Sequence, residues 1–409
     1  MKLLKLKLHW QIIIALVAGG FFGALLPGWT AYTDWIGRMF VNALGMVVVP
    51  LIFSSIVSGV TGIADGANLK SIGLRTICYY VITMLIAVAT GLTLVNLINP
   101  GAGMDLSLAG KPEGMTLGNI SFMDTIVNIV PSNIAAAFSG GNMLPVIFFA
   151  ILFGVFVNKL GKKEKDTLTG IFDALFSVMI KITYFIVRFS PIGVFAIIAR
   201  QIAGAGDILG LVGNLSLYVL TVSLGLAVQM FVWLPSLLYF KAKVNPVQHF
   251  RNMINPLVTA FSTASSNAAL PLTIEAVEEK DGVSQSVASL TLPLGATINM
   301  NGTALLEGVA AIFIAQAYGI DLTFGQQVIV ALTAVLAAVG SAGIPMAGIV
   351  MMSVVLSAVG LPLEGIGLVI GVDRIADMMR TSVNVFGDTC VAVMVAKDEG
   401  ERLDIDLRR

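Results

Sequence analysis

Apolar runs of about twenty residues, the length that crosses the hydrocarbon of a bilayer, recur along the whole of this 409-residue chain. Charged residues make up only 12% of it, against about 25% in an ordinary soluble domain, so there is too little polar surface to cover a fold in water. The runs lack the period-two alternation of barrel strands, which leaves helices as the spanning element. Lys+Arg and Asp+Glu both number 24, and the net charge of zero carries no basic footprint for nucleic acid. Cys78 and Cys390 lie inside apolar runs and read as small buried hydrophobes, without zinc or disulfide spacing. The opening stretch, residues 1–20, reads as a retained first helix because no small-residue cleavage site follows it.

Hydropathy and breakers place eight spans near residues 10–27, 33–61, 72–98, 143–160, 167–200, 209–240, 285–318 and 364–396. Two further apolar stretches, 253–280 and 326–362, carry small and helix-breaking residues at their middles. Broken backbone survives in a membrane only where protein or a water-filled cavity satisfies its amides. The two stretches are therefore expected to be re-entrant hairpins. Lys2, Lys5, Lys7, Lys70, Arg75, Lys162, Lys163, Lys165, Lys241, Lys243 and Arg251 fall in the N-terminal tail and alternate connections, with Lys111 the exception. Positive charge on alternate loops puts both termini in the cytoplasm. The first hairpin then enters from inside and the second from outside. The expected architecture is an all-α membrane protein of eight transmembrane helices plus two re-entrant helical hairpins, arranged as an inverted repeat of the kind found in secondary transporters.

The last span sets Asp373, Arg374, Asp377, Arg380, Asn384 and Asp388 among apolar residues. At about 100° per residue, positions 373, 377, 380, 384 and 388 share an arc of about 80°. Five charges at depth cost about 15 kcal/mol, while the apolar residues return about 5–9. Such a helix cannot face lipid all round. Its stripe either packs as structural ion pairs, Asp377 with Arg380 being a good i,i+3 pair, or lines a cavity. The seventh span contains Pro293, Gly295, Thr297, Asn299, Met300, Asn301, Gly302, Thr303 and Glu307, a run that interrupts the helical ladder and frees carbonyls suited to a hard cation.

With these motifs in place, the chain resembles the dicarboxylate/amino acid:cation symporters, the glutamate transporter family. The resemblance rests on the serine-rich first tip (Ser265, Ser266), Asn299-Met300-Asn301-Gly302-Thr303, the Gly-Ile-Pro second tip, and Asp377-x-x-Arg380-Thr381-x-x-Asn384-x-x-x-Asp388. It implies a homotrimer in the inner membrane that moves its cargo as an elevator. Residues 1–71 and helices four and five within 143–252 would be scaffold. Residues 72–142, the sixth helix and the core 253–409 would carry the cargo. It also implies roles. Arg380 would clamp the side-chain carboxylate of an acidic amino acid, and Asp377 would pair with its ammonium group. Ser265, Ser266 and Asn384 would hold the α-carboxylate, with Thr303, Thr381, Ile344 and Gly348 close by. Keeping both Arg380 and Asp377 favours aspartate or glutamate over the neutral amino acids and C4-dicarboxylates that other members carry.

For the co-transported cations, Na+ or H+ or both, the resemblance implies one site from Gly295, Asn299, Asn384 and Asp388. A second would use Thr297 with carbonyls around Ala338, Val339 and Ser341, beside Met300. A third, around Tyr80, Thr83 and Asn301, departs from the family: Asn301 replaces a carboxylate and Met84 a serine. The loss of a full negative charge removes most of the attraction for a sodium ion. Glu307, one turn after Thr303, is the expected proton carrier, against the alternative of a structural carboxyl that never releases its proton.

His9 and His249 sit at membrane borders and read as surface residues, and Glu275, Glu278, Glu279, Lys280 and Asp281 as a solvated turn. Lys181 and Arg188 read as snorkelling side chains. A membrane enzyme is the competing class, with Asp373 and Asp377 as a metal pair or Ser265 as a nucleophile, but a second carboxylate cluster and a nearby base are missing. A channel is another, separable by its flux.

Overall fold

The computed structural model describes residues 8–61, 67–104, 127–140, 143–204, 208–339, 347–370 and 372–407. Its regular elements are helices throughout, with one isolated bridge between Val244 and Asp406. Among the described residues, five helical segments are long and apolar enough to cross a membrane: Asp34–Thr61, Ile72–Ile98, Lys162–Val187, Gly210–Ala242 and Gln285–Ala317.

The expected fifth span is two helices, Lys162–Val187 and Ser190–Gly204. Pro191 has no N–H to give the Val187 carbonyl and its ring crowds it, so the first helix ends at Val187 and Pro191 sits in the first turn of the next. The second piece packs on the first helix, Leu8–Leu25. A Cβ on Gly19 would stand 2.6 Å from the Phe195 carbonyl oxygen, so only glycine permits this approach. Helix Asp34–Thr61 packs on Met143–Val157, Lys162–Val187 and Ser190–Gly204. A separate group gathers around the seventh span.

The sixth helix runs from Ile208 through two π-helical stretches, Gln229–Trp233 and Leu238–Ala242, and ends at Lys243 in the left-handed region (φ 57°). Asn245 then caps a short helix, Pro246–Asn252, by accepting from the amides of Val247 and Gln248. The first hairpin follows as Ile254–Thr263 and Ser266–Asp281, turning at left-handed Ala264 and capped by Ser265. The second hairpin has arms Phe324–Val339 and Ala347–Ala358; its expected tip, with Gly340, Ser341, Gly343 and Ile344, lies outside the described residues. Lys2, Lys5, Lys7 and Lys111 lie outside them as well.

The seventh span is interrupted as its sequence implies, Gln285–Ile298 giving way to non-helical Asn299 and Met300 before Asn301–Ala317. Every residue of the second segment except Gln316 is buried. Small residues let neighbours approach it closely: a Cβ on Gly91 would stand 2.9 Å from Val309. The expected last span is also interrupted, a short helix Ile366–Ile370 preceding the long final helix Asp373–Asp398.

Three expectations about burial are corrected. His249 and Asp281 are fully buried, because they pair with each other inside the protein. Cys78, by contrast, is exposed, since it points away from the neighbours of its helix.

Candidate functional site

The final helix meets the seventh span at its break. Asn384 Oδ1 accepts from the Gly302 amide at 2.7 Å, one of the donors that a helix start leaves without a partner. Its Nδ2 donates to Thr303 Oγ1 at 3.3 Å and reaches Met300 Sδ at 3.2 Å. One turn on, Asp388 Oδ1 accepts from Asn299 Nδ2 at 2.8 Å. Glycines allow this closeness. A Cβ on Gly302 would lie 2.7 Å from the Arg380 carbonyl oxygen, one on Gly295 2.5 Å from Tyr80 Oη and 2.6 Å from Asp388 Oδ1, and one on Gly387 would overlap the Asn301 amide. Gly295, Asn299, Asn384, Asp388 and Tyr80 are thus drawn together around one break.

One turn before Asn384 lies the buried pair. Arg380 donates from Nε (3.0 Å) and Nη2 (2.7 Å) to the same oxygen of Asp377, and both side chains are almost wholly enclosed. The ion pair read from the i,i+3 spacing is therefore formed. Arg380 Nη1 has no partner among the described residues, and a side chain on Gly348 of the second hairpin would overlap this guanidinium. Thr381 donates to the Asp377 carbonyl (2.6 Å) and Ser382 to that of Leu257 (3.2 Å), which ties the final helix to the first hairpin. Of the first tip, Ser266 is buried, and Ser265 accepts from the Ala268 amide at 3.3 Å.

Several polar groups here are fully buried without a partner among the described residues: both oxygens of Glu307, both side-chain polar atoms of Asn301, and Asn299 Oδ1. Such groups are rare in native structures and mark either strain or a missing ligand. The hydroxyls of the third expected cation site are engaged elsewhere. Tyr80 donates to the Thr291 carbonyl (2.7 Å), and Thr83 to the carbonyls of Tyr79 (2.9 Å) and Tyr80 (3.1 Å). Buried Met84 adds no polar ligand beside them. For the second expected site, Thr297 and Val339 line one cavity of about 330 Å³ with Ser55, Ser58 and Ser289, while Ala338 is buried and Ser341 is outside the described residues.

The residues that sequence reasoning missed are His249 and Asp281. Thr273, Val277 and Asp281, four residues apart, are all buried, so the aspartate lies on an inward face of its helix that only the structure reveals.

Comparison with known proteins bears on this geometry. The profile of the sodium:dicarboxylate symporter family matches residues 8–398. The proton/glutamate-aspartate symporter of Escherichia coli (strain K12) is 35% identical, over 98% of this chain and 94% of that protein. The proton/sodium-glutamate symport protein of Bacillus caldotenax is 35% identical over 97% of this chain and 96% of its own length. Excitatory amino acid transporter 3 of Mus musculus is 35% identical over 98% of this chain and 88% of its own length. With a match of this extent and a polar break that holds the motif residues together, the chain belongs to the sodium:dicarboxylate symporter family.

Proposed function

We infer that the chain takes up an acidic amino acid, aspartate or glutamate, together with sodium ions, protons or both. The observation that carries this reading is the state of Arg380: enclosed, held on one side by a single oxygen of Asp377, and with Nη1 unpartnered beside Gly348. An acidic amino acid offers a carboxylate for that donor, while its ammonium group takes Asp377. The printed names of the relatives, proton and sodium symporters of glutamate and aspartate, support the same substrate class.

Coupling follows from charge. Arg380 and Asp377 already neutralise each other, so an anionic guest brings an uncompensated negative charge into a buried site, where it is costly unless paired. A cation held by Asp388, Asn299 and the carbonyls near Gly295 offsets it, and guest and cation then raise each other's affinity reciprocally. Glu307 is the proposed proton carrier: since neither of its oxygens has a partner, gaining or losing a proton there breaks no hydrogen bond. In this reading the protein is a homotrimer in the inner membrane with cytoplasmic termini. Residues 1–71 and helices four and five form a fixed scaffold; the third and sixth helices and residues 253–409 move as an elevator, with the second hairpin as outer gate.

The test is uptake of labelled aspartate and glutamate into reconstituted vesicles under separately imposed sodium and proton gradients. Accumulation driven by at least one gradient is expected. Equilibration of the amino acid without accumulation under either gradient would exclude symport, and accumulation of a C4-dicarboxylate in its place would reassign the substrate.

A further inference from the structure

On the side of the final helix away from the break lies a second set of buried polar groups. His249 Nδ1 meets Asp281 Oδ2 at 2.6 Å, and its Nε2 meets Thr389 Oγ1 at 3.0 Å. Asn252 Nδ2 donates to Asp281 Oδ1 (2.7 Å) and to the Lys280 carbonyl (3.1 Å), which closes the base of the first hairpin. The Thr389 hydroxyl donates to the Phe386 carbonyl at 2.8 Å. Each ring nitrogen of His249 therefore has a hydrogen-bonding partner, and the imidazole is held from both sides. The ring also lies against Phe386, with centroids 5.5 Å apart, and Cys390 Sγ is 3.7 Å from Nε2.

Helix geometry says what this touches. At about 100° per residue, Phe386 and Cys390 lie about 200° from Asp388, on the opposite side of the same turns. The histidine packs on the back of the segment whose front presents Asp388 to Asn299. A fully buried ionisable pair is seldom the most stable filling for such a space, since apolar residues of similar volume do as well or better. What directional hydrogen bonds add is a fixed position.

We propose that His249 is a positioning residue for the coupling cation: pinned by Asp281 and Asn252 at the base of the first hairpin, it braces through Thr389 and Phe386 the helical turn that carries Asp388. The proposal rests on the reading of Asp388 as a cation ligand given above. It makes the base of the first hairpin, and not only its tip, part of what sets cation affinity.

The experiment uses the full-length protein in vesicles and follows labelled aspartate uptake while sodium is titrated at fixed pH and pH is titrated without sodium. His249→Phe keeps the ring volume and removes both hydrogen bonds; Thr389→Val removes the link to the final helix; His249→Gln returns a hydrogen-bonding group toward Thr389. Half-saturation for the driving cation is expected to rise about tenfold in His249→Phe and in Thr389→Val, the size seen when an outer support of a metal ligand is lost. Aspartate half-saturation at saturating cation should stay within twofold. His249→Gln should recover most of the shift, and the double variant His249→Phe/Thr389→Val should be no worse than His249→Phe alone. A cation half-saturation within twofold of wild type in His249→Phe, whatever happens to thermal stability, would overturn the proposal. If that variant does not fold, Thr389→Val is held to the same criterion. Asp388→Asn separates the two levels of the argument. If it leaves cation dependence unchanged, the cation reading fails and this inference with it; if it alters that dependence while His249→Phe and Thr389→Val do not, only the inference fails.

Discussion

The final helix carries two buried polar regions that face opposite ways and are finished differently. Toward the break, Arg380 Nη1, Glu307, Asn301 and Asn299 Oδ1 are left without hydrogen-bond partners among the described residues. Toward the first hairpin, His249, Asp281, Asn252 and Thr389 satisfy one another. His249, Asp281 and Thr389 are buried as deeply as the groups at the break, so burial alone does not distinguish a binding site from a brace. The distinction lies in which groups are left unpaired, because an unpaired buried group in a native structure marks strain or a missing ligand.

The strongest way to break this comparison is Arg380→Ala. If the unpaired donor awaits a carboxylate, removing it should reduce acidic amino acid uptake by at least about 30-fold, the scale of about 2–5 kcal/mol for truncating one partner of a buried charge pair. Uptake measured across substrate concentrations checks this, and a loss below about tenfold would place Arg380 in the brace category. Next is Glu307→Gln, which keeps the shape and removes the titrating group. It should abolish the proton dependence of accumulation while substrate exchange across the membrane continues; persistent proton-driven accumulation would mean that Glu307 is only structural. Gly348→Ala sharpens the boundary of the site. A methyl group there collides with the Arg380 guanidinium, and overpacking of about 1–3 kcal/mol should raise the aspartate half-saturation by about 5- to 150-fold.

The smallest effect is expected in a third polar cluster, at the C-terminal end of the final helix. Tyr79 Oη donates to Asp398 Oδ2 at 2.5 Å, and Lys241 lies 3.1 Å from Oδ1. Burial pushes the Asp398 carboxyl up, but the hydrogen bonds from Tyr79 and Lys241 and the charges of Lys241 and Arg75 outweigh it and hold the group below its ordinary value. A lowered carboxylate contributes stability at neutral pH that is lost as the pH falls through the folded value. Tyr79→Phe should therefore cost about 1 kcal/mol at neutral pH, the group being partly exposed. The difference in melting temperature from wild type should shrink on acidification.

Much of the site was legible before the fold. The run Asn299 to Thr303 announces a break because asparagine, glycine and threonine weaken a helix in mid-membrane, and the stripe from Asp373 to Asp388 is a one-dimensional pattern of a single helix. The first hairpin could be read from its small-residue tip for the same reason. The chain is silent where the physics is long-range. His249 finds Asp281 across 32 residues and Thr389 across 140, and no local periodicity records such a meeting. A lone histidine at a membrane border is most simply a surface residue, and here that simple reading fails. The break before Pro191 was missed for a different reason: apolar residues on both sides of it extend one hydropathy peak across two helices.

Helices Gln285–Ala317 and Lys162–Val187 also differ in what surrounds them. The most apolar window of the first is 100% buried within the protein, and that of the second only 17%. Detergent replaces lipid, not protein. On extraction from the membrane, helix Gln285–Ala317 keeps every neighbour it had, while Lys162–Val187 depends on whatever covers it, lipid or, in the proposed trimer, another copy of the chain. Loss of activity in a poorly chosen detergent should therefore begin around Lys162–Val187, with the polar break of the seventh span the last to loosen.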